Sequence, residues 1–304
     1  MEENERGTVM EYAGTVENHR GREDGLIVYP VYSRRSRGLS IGVNLYPDKK
    51  CCNFDCGYCE VFPFSGSVKF SIALMESGLR KAIAGAVAES VPVKDICFSG
   101  NGEPTLSPDF AEALLAAAAI REDAAHCHAV RCHAAHCHAA RDNAPAKSSL
   151  VVISNGTGLL REDCFAFLEN SVRPPVSAEL WLKLDAGGAD WYKKIDGGAI
   201  DFDRLTGAIK KFSENSAFVI QTMHCAVNGA PPPIRELRAW AELTAYIAKS
   251  GNVRLVQIYG KARPSPHDPV CAALPLASLE KRAEALKTAF KESGITDVPI
   301  AVYE

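Results

Sequence analysis

The chain has 304 residues, of which 47% are hydrophobic and 23% charged, with a formal charge of -3 at pH 7. That apolar fraction belongs to a folded, soluble protein with a sizeable core. The near-neutral charge excludes a global attraction to phosphates, so any nucleic-acid partner has to be met by a local basic patch.

The first residues, MEENERGTVMEYAG, lack a basic start followed by an apolar run. No stretch approaches the roughly 18 apolar residues of a membrane helix, so a cytoplasmic protein with no membrane partner is expected. In a reducing compartment the 11 cysteines are not a disulfide framework. Clustered thiols then point to metal, and scattered ones such as Cys97, Cys164, Cys225 and Cys271 to core packing.

Residues 1–38 are polar and rich in Gly and Arg, with one extended segment, LIVYPVYSRR, and read as an N-terminal extension. Residues 39–304 read as one domain. Short apolar or β-branched runs recur at 39–45, 93–98, 150–153, 180–184, 218–223, 253–258 and 299–302, as in buried parallel strands. Between them, Ile72, Met75, Leu79, Ile83 and Val87 fall at helical spacing, as do Leu237, Trp240, Leu243 and Ile247. Ser278 suits an N-cap and Gly294 a helix stop. Strand and helix alternating this often predicts an α/β fold, a partial (βα)6 TIM-like barrel with ligands at the C-terminal ends of the strands.

From His126 to Arg141 the pattern breaks into HCHAVRCHAAHCHAAR, within a low-complexity His/Cys/Ala insertion at about 122–147. A five-residue step turns its thiols to different faces of a helix, which argues against a metal role without removing it.

The informative stretch is GVNLYPDKKCCNFDCGYCEVF, where Cys52, Cys56 and Cys59 follow C-x3-C-x2-C directly after a strand. Three thiolates on one loop suit a 4Fe-4S cluster and leave one iron open. The alternatives are a zinc knuckle and a cluster with its fourth ligand elsewhere. Cys51 is out of this register and counts as an extra thiol.

This spacing, with Tyr58 before the last cysteine, resembles the radical S-adenosylmethionine superfamily. The resemblance implies that S-adenosylmethionine chelates the open iron and that an electron from the reduced cluster breaks its sulfonium bond. The 5'-deoxyadenosyl radical then abstracts a substrate hydrogen, with an external donor such as flavodoxin or ferredoxin supplying the electron. Gly100, Asn101, Gly102 and Glu103 in CFSGNGEPTL stand where the superfamily has its GGE element. Two glycines let the backbone approach a ligand, and carbonyls with a carboxylate accept from the methionine ammonium; the alternative is an ordinary turn closed by Pro104. Ser154 and Asn155 end the next strand, and their superfamily counterparts often meet the methionine carboxylate or the ribose.

Lys183 and Asp185 in LWLKLDAG share a face at period two and are the catalytic candidates, or else a structural ion pair. Gln221 and Gln257 recur at corresponding strand positions, and buried amides demand partners, so both are candidate cofactor contacts. A wider resemblance, to a bacterial branch related to the wyosine-forming tRNA enzymes, runs through VYPVYSRRSRGLSIGVNLYPD, CNFDCGYC, FSGNGEPT, LKLDAG, NGAPPP and RLVQIYGKAR. It implies the partial barrel, the cofactor and a tRNA base as the suggested substrate. In those enzymes a lysine holds a pyruvate-derived unit, for which Lys183 is the candidate here.

Arg34, Arg35 and Arg37, with Lys49, Lys50, Lys261 and Arg263, either flank one opening and meet phosphates or are solvated rim charges; Arg34 and Arg35 have the further option of pairing with acidic side chains of the barrel. Two other functions stand beside the tRNA reading: a protein or peptide activase or maturase with the same cofactor, and a non-catalytic iron-sulfur or metal-binding protein.

Overall fold

The structure is a computed structural model and describes residues 26–135, 148–249 and 251–303. Ten strands alternate with seven helices among these residues. The strands are β1 (Val28–Ser33), β2 (Gly38–Asn44), β3 (Val93–Gly100), β4 (Ser149–Ser154), β5 (Ala178–Lys183), β6 (Ala217–His224), β7 (Ala226–Val227), β8 (Asn252–Gly260), β9 (Cys271–Ala272) and β10 (Ile300–Tyr303). The helices are α1 (Ile72–Ala88), α2 (Phe110–Ala135), α3 (Glu162–Ser171), α4 (Ala189–Ile195), α5 (Phe202–Asn215), α6 (Ile234–Lys249) and α7 (Leu276–Glu292).

Eight strands form one curled sheet in the order β1-β2-β3-β4-β5-β6-β8-β10, and β7 pairs with β9 beside it. Every neighbouring pair from β2 to β10 is parallel. In that sheet β1 alone runs antiparallel, with Val28 opposite Val43 and Ser33 opposite Gly38, and the β7–β9 pair is also antiparallel. The predicted partial barrel is therefore the observed fold, and all seven apolar runs lie in its parallel strands. Val28–Ser33, on the N-terminal side of the boundary drawn at residue 38, is the sheet's edge strand, while residues 1–25 of that segment lie outside the described residues.

Alternation along the strands sorts their side chains into two clusters. The larger one packs under the helices and takes Met75, Leu79 and Ile83 from α1 and Trp240 and Ile247 from α6. Val87, at the end of the predicted α1 stripe, is exposed, and Leu237 and Leu243 of α6 are half-buried. The smaller cluster faces inward. Ile153, Trp181, Val219 and Leu255 are register partners across β4, β5, β6 and β8, and Cys97 and Val151 complete this apolar floor. Two residues further along the same strands, Lys183, Gln221 and Gln257 form the next inward row.

Helix ends depart from the sequence reading at one point and agree at another. α7 starts at Leu276 with Pro275 at its N-cap, so Ser278 sits inside the first turn, donating its backbone N–H to Pro275 O. Proline suits that position because its missing N–H and its fixed φ cost the helix nothing there. Gly294 does end α7: its φ is 72°, and the N–H of Ile295 returns to Phe290 O. Residues 126–135 of the His/Cys repeat belong to α2, which runs through Ala135; residues 136–147 lie outside the described residues. Among the described residues no helix is long and apolar enough to cross a membrane.

A Cβ at Gly294 would meet nothing within 4 Å, so Gly294→Ala isolates the backbone cost of the left-handed conformation. The expected loss is about 1 kcal/mol of unfolding free energy, measured by urea denaturation.

Candidate functional site

The cysteine loop lies between β2 and α1 and is fastened at three places. Cys51 N donates to Asn101 O at 3.0 Å, and Glu103 N donates to Cys51 O at 2.9 Å, so the loop adds a short parallel bridge to the end of β3. A Cβ on Gly102 would sit 1.8 Å from Cys51 O, so only glycine permits this approach. The end of α4 holds the middle of the loop, with Asp55 N donating to Asp196 O at 3.1 Å and Gly57 N to Ile195 O at 2.9 Å. Ser265 Oγ donates to Gly57 O at 2.9 Å.

These anchors place Cys52, Cys56 and Cys59 on the wall of one cavity of about 260 Å³ at the C-terminal mouth of the sheet. A tight turn, Cys59 N to Cys56 O at 2.9 Å, joins the last two. All three are free thiols. Cys52 Sγ accepts from Phe54 N at 3.4 Å and from Asn155 Nδ2 at 3.8 Å. Burial pushes the Cys52 thiol up to about 11. It pushes Cys56 well above the usual thiol range, with the Asp196 carboxyl adding to the shift. Both are therefore thiols at neutral pH, and metal binding has to release their protons.

Among the described residues no three His, Cys, Asp or Glu side chains are grouped to hold a single metal ion. Three free thiols line one cavity, with N–H groups directed at the first, and thiolates of this kind are the donors that iron-sulfur clusters take.

Glu103 is 3% exposed, and its carboxylate is fully engaged. Oε1 accepts from Thr105 N at 3.1 Å, Thr105 Oγ1 at 2.6 Å and Ser154 Oγ at 2.7 Å; Oε2 accepts from Asn155 N at 2.7 Å. Burial raises its pKa although these four donors oppose the rise. It ties the end of β3 to the end of β4. Asn155 continues the tie by donating to Asn53 Oδ1 at 3.1 Å, and Asn53 donates to Thr157 Oγ1 at 3.0 Å. Tyr46 Oη donates to Glu103 O at 3.1 Å.

Lys183 and Asp185 do form an ion pair, with Nζ 3.1 Å from Oδ2. Nζ also bonds the Tyr259 hydroxyl and lies 4.8 Å from the Tyr58 ring centroid and 4.7 Å from that of Tyr259. Burial disfavours the ammonium, but Asp185 and Tyr259 outweigh it and the pKa rises. Tyr58 bonds Asp185 Oδ2 and Asp196 Oδ1, the latter at 3.1 Å. Asp185 Oδ1 accepts from Met223 N at 2.7 Å. Burial, with the Asp185 carboxylate beside it, drives the Asp196 pKa well above the usual range. Gln221 and Gln257 are buried partners, Nε2 of the first donating to Oε1 of the second at 2.7 Å.

Sequence reasoning missed Tyr29, Asp196, Tyr259 and the pair His224–Arg282. Tyr29 had a signal in two strand glycines: its ring would lie 2.3 Å from a Cβ on Gly42, and its hydroxyl 2.9 Å from one on Gly100. Arg282 is fully buried, bonds His224 Nδ1 at 2.8 Å and Asp185 O at 3.1 Å, and lies 4.1 Å from the Trp240 ring centroid. It braces the loop carrying Asp185 from behind. No local pattern in the sequence marks such a brace.

No family model matches the chain. A UPF0026 protein of Helicobacter pylori (strain ATCC 700392 / 26695) is 38% identical over 93 residues, which is 30% of this chain and 30% of that protein. Its counterpart from strain J99 is 35% identical over 88 residues, 29% of this chain and 28% of that protein. Among solved structures, Streptococcus suis SuiB bound to S-adenosylmethionine superposes with a TM-score of 0.59 at 14% identity, covering 84% of this chain and 49% of SuiB. A radical SAM methyltransferase from Sphaerobacter thermophilus gives 0.56 at 14% identity, covering 88% of this chain and 66% of that one. At such identities the likeness establishes the fold, a partial barrel of the radical SAM type. The chain spans about half the length of SuiB, and the matched stretch spans less than a third of each curated relative.

Gly102→Ala is expected to push Cys51 off the end of β3, costing on the order of 3 kcal/mol and most of the iron taken up on reconstitution. Gly294→Ala is its control, with iron uptake unchanged.

His224 offers a second test. Burial and then the Arg282 charge lower its pKa to about 3. The unfolded chain takes up this proton near pH 6.5 while the folded chain does not, so the contribution is intact above about pH 6.5 and lost as pH falls toward about 3. In urea denaturation between pH 4 and 6, His224→Gln should flatten the acid-side slope by up to about 1.4 kcal/mol per pH unit. Equal slopes would contradict it.

Proposed function

We propose that the chain is a radical S-adenosylmethionine enzyme that cleaves its cofactor reductively and abstracts hydrogen from a tRNA base. The observation that carries this reading is the convergence of Cys52, Cys56 and Cys59 on one cavity at the mouth of a radical-SAM-type barrel. When bound there, a 4Fe-4S cluster supplies the electron for cleavage of the sulfonium bond.

The chain's own residues divide the remaining work. Gly102 and the Asn101 and Glu103 backbones hold the cysteine loop in place. Gly100, Ser154 and Asn155 shape the cofactor wall, with Glu103 locking the two hydroxyl and amide groups in position. Tyr58 and Asp185 orient the Lys183 ammonium, which with Tyr259 keeps a proton at the edge of the cavity. The Gln221–Gln257 pair lies in the row with Lys183 and presents polar groups below the reacting centre.

Held as an ammonium between a carboxylate and two aromatic rings, Lys183 is a poor amine nucleophile. The wyosine-like reading is thus limited to the substrate class and does not extend to a lysine-bound pyruvate unit. An external reductant of the flavodoxin or ferredoxin class and a cytoplasmic setting complete the proposal, because an accessible cluster needs a reducing compartment.

Anaerobic reconstitution should give about four irons per chain, and reduction with dithionite in the presence of S-adenosylmethionine should release 5'-deoxyadenosine. Cys56→Ala should abolish both. Stable zinc with no cofactor cleavage would contradict the assignment. Mass spectrometry of nucleosides from treated tRNA tests the substrate, and an unmodified profile with active cofactor cleavage would remove it.

A further inference from the structure

The wall of the cavity formed by the β1–β2 turn and the end of β8 carries charge that the cofactor chemistry does not use. Arg34 and Arg35 come from that turn and Arg263 follows β8, and all three line the cavity. Arg263 NH1 meets Glu60 Oε2 at 2.6 Å. Arg35 is steadied by uncharged groups, donating to Gln221 Oε1 at 3.3 Å with its guanidinium 5.0 Å from the Tyr259 ring centroid. Asp95 is within electrostatic reach of Arg35, but its carboxyl is bonded to Ser40. Arg34 is half-buried on the same wall, within electrostatic reach of Glu60 and Tyr259. Its pKa is lowered by burial and by the charges of Arg263 and Arg35.

Crowding like charges in a partly buried pocket is unfavourable, and an anionic ligand relieves it. One fork matches one carboxylate, as Arg263 already matches Glu60. Two further guanidiniums on the same wall suit a group with more oxygens and more charge.

We infer that Arg34, Arg35 and Arg263 form a phosphate subsite of the substrate cavity, which takes a phosphate group of the substrate and leaves its reacting part facing the cysteine loop. The inference rests on the proposed reading of this cavity as the substrate site. Lys261, named with these residues from the sequence, is not part of the subsite, because it pairs with Asp268 at 2.5 Å away from the cavity wall.

Calorimetric titration of the full-length chain without reductant tests this separately from cofactor cleavage. The probes are uridine, uridine 5'-monophosphate and the dinucleotide UpU. At least one phosphate-bearing probe should bind about tenfold or more tightly than uridine, with the preference shrinking as salt rises. Arg34→Gln and Arg35→Gln should each bring the ratio close to one, with folding checked by circular dichroism. Glu60→Gln, which removes a carboxylate facing Arg263 and Arg34, should tighten binding severalfold, an effect of opposite sign that loss of folding cannot imitate. A preference for the monophosphate assigns a phosphomonoester substrate and a preference for UpU a nucleic-acid backbone. Equal binding of all three probes, undiminished affinity in the arginine variants, or no gain in Glu60→Gln would overturn the subsite, whether or not 5'-deoxyadenosine is released.

Discussion

The contact between the backbones of Cys51 and Gly102 governs the site. Two hydrogen bonds, Cys51 N to Asn101 O and Glu103 N to Cys51 O, fix an otherwise irregular loop to a rigid strand end. They form only because residue 102 has no side chain. Loops carry chemistry well when a rigid scaffold positions them, and here the scaffold is the end of β3. Glu103 then passes the same constraint sideways. Its buried carboxylate collects donors from Thr105, Ser154 and Asn155, and Asn155 reaches back to Asn53 and the Cys52 sulfur. Strand ends β3 and β4 and the cysteine loop are thereby joined by one hydrogen-bond network.

The inward face of the sheet is layered by register. Ile153, Trp181, Val219 and Leu255 close the floor, and the row of Lys183, Gln221 and Gln257 lies immediately above. A buried polar row is tolerated because its members satisfy one another. The amides pair, and Lys183 finds Asp185 and Tyr259. Two carboxyls meet near Tyr58, and burial, with the Asp185 carboxylate beside it, raises the Asp196 pKa, while Asp185 pairs with Lys183. Arg35 joins this row to the arginine-bearing wall, donating to Gln221 and lying over the Tyr259 ring.

Much of this was legible in the residues. Parallel strands buried on both faces announce themselves as short apolar runs, and seven of them were found at their observed places. The C-x3-C-x2-C spacing marked the loop, and GNGE marked the strand end it docks on. What stayed hidden depends on groups distant in the chain. That Gly102 meets Cys51 requires knowing that two loops touch. Glu103 reads as an exposed acceptor until Ser154 and Asn155 are seen to use it. Asp196 and Tyr259 are ordinary residues at the ends of α4 and β8, and only the curl of the sheet brings them to Lys183. Val28–Ser33 was seen as extended but not as a strand of the sheet, because its pairing with β2 reverses the direction of every other pair in the eight-stranded sheet. The start of α7 was placed at Ser278 because a serine cap is the stronger local signal, whereas Pro275 caps by geometry alone.

The central claim is that the three thiols facing this cavity hold an iron-sulfur cluster with one coordination position left for S-adenosylmethionine. Electron paramagnetic resonance of the reduced, reconstituted protein, recorded with and without S-adenosylmethionine, tests it most directly. The account predicts a cluster signal whose g values change on addition of S-adenosylmethionine. A signal identical in both samples would mean that the position is closed, and would contradict it.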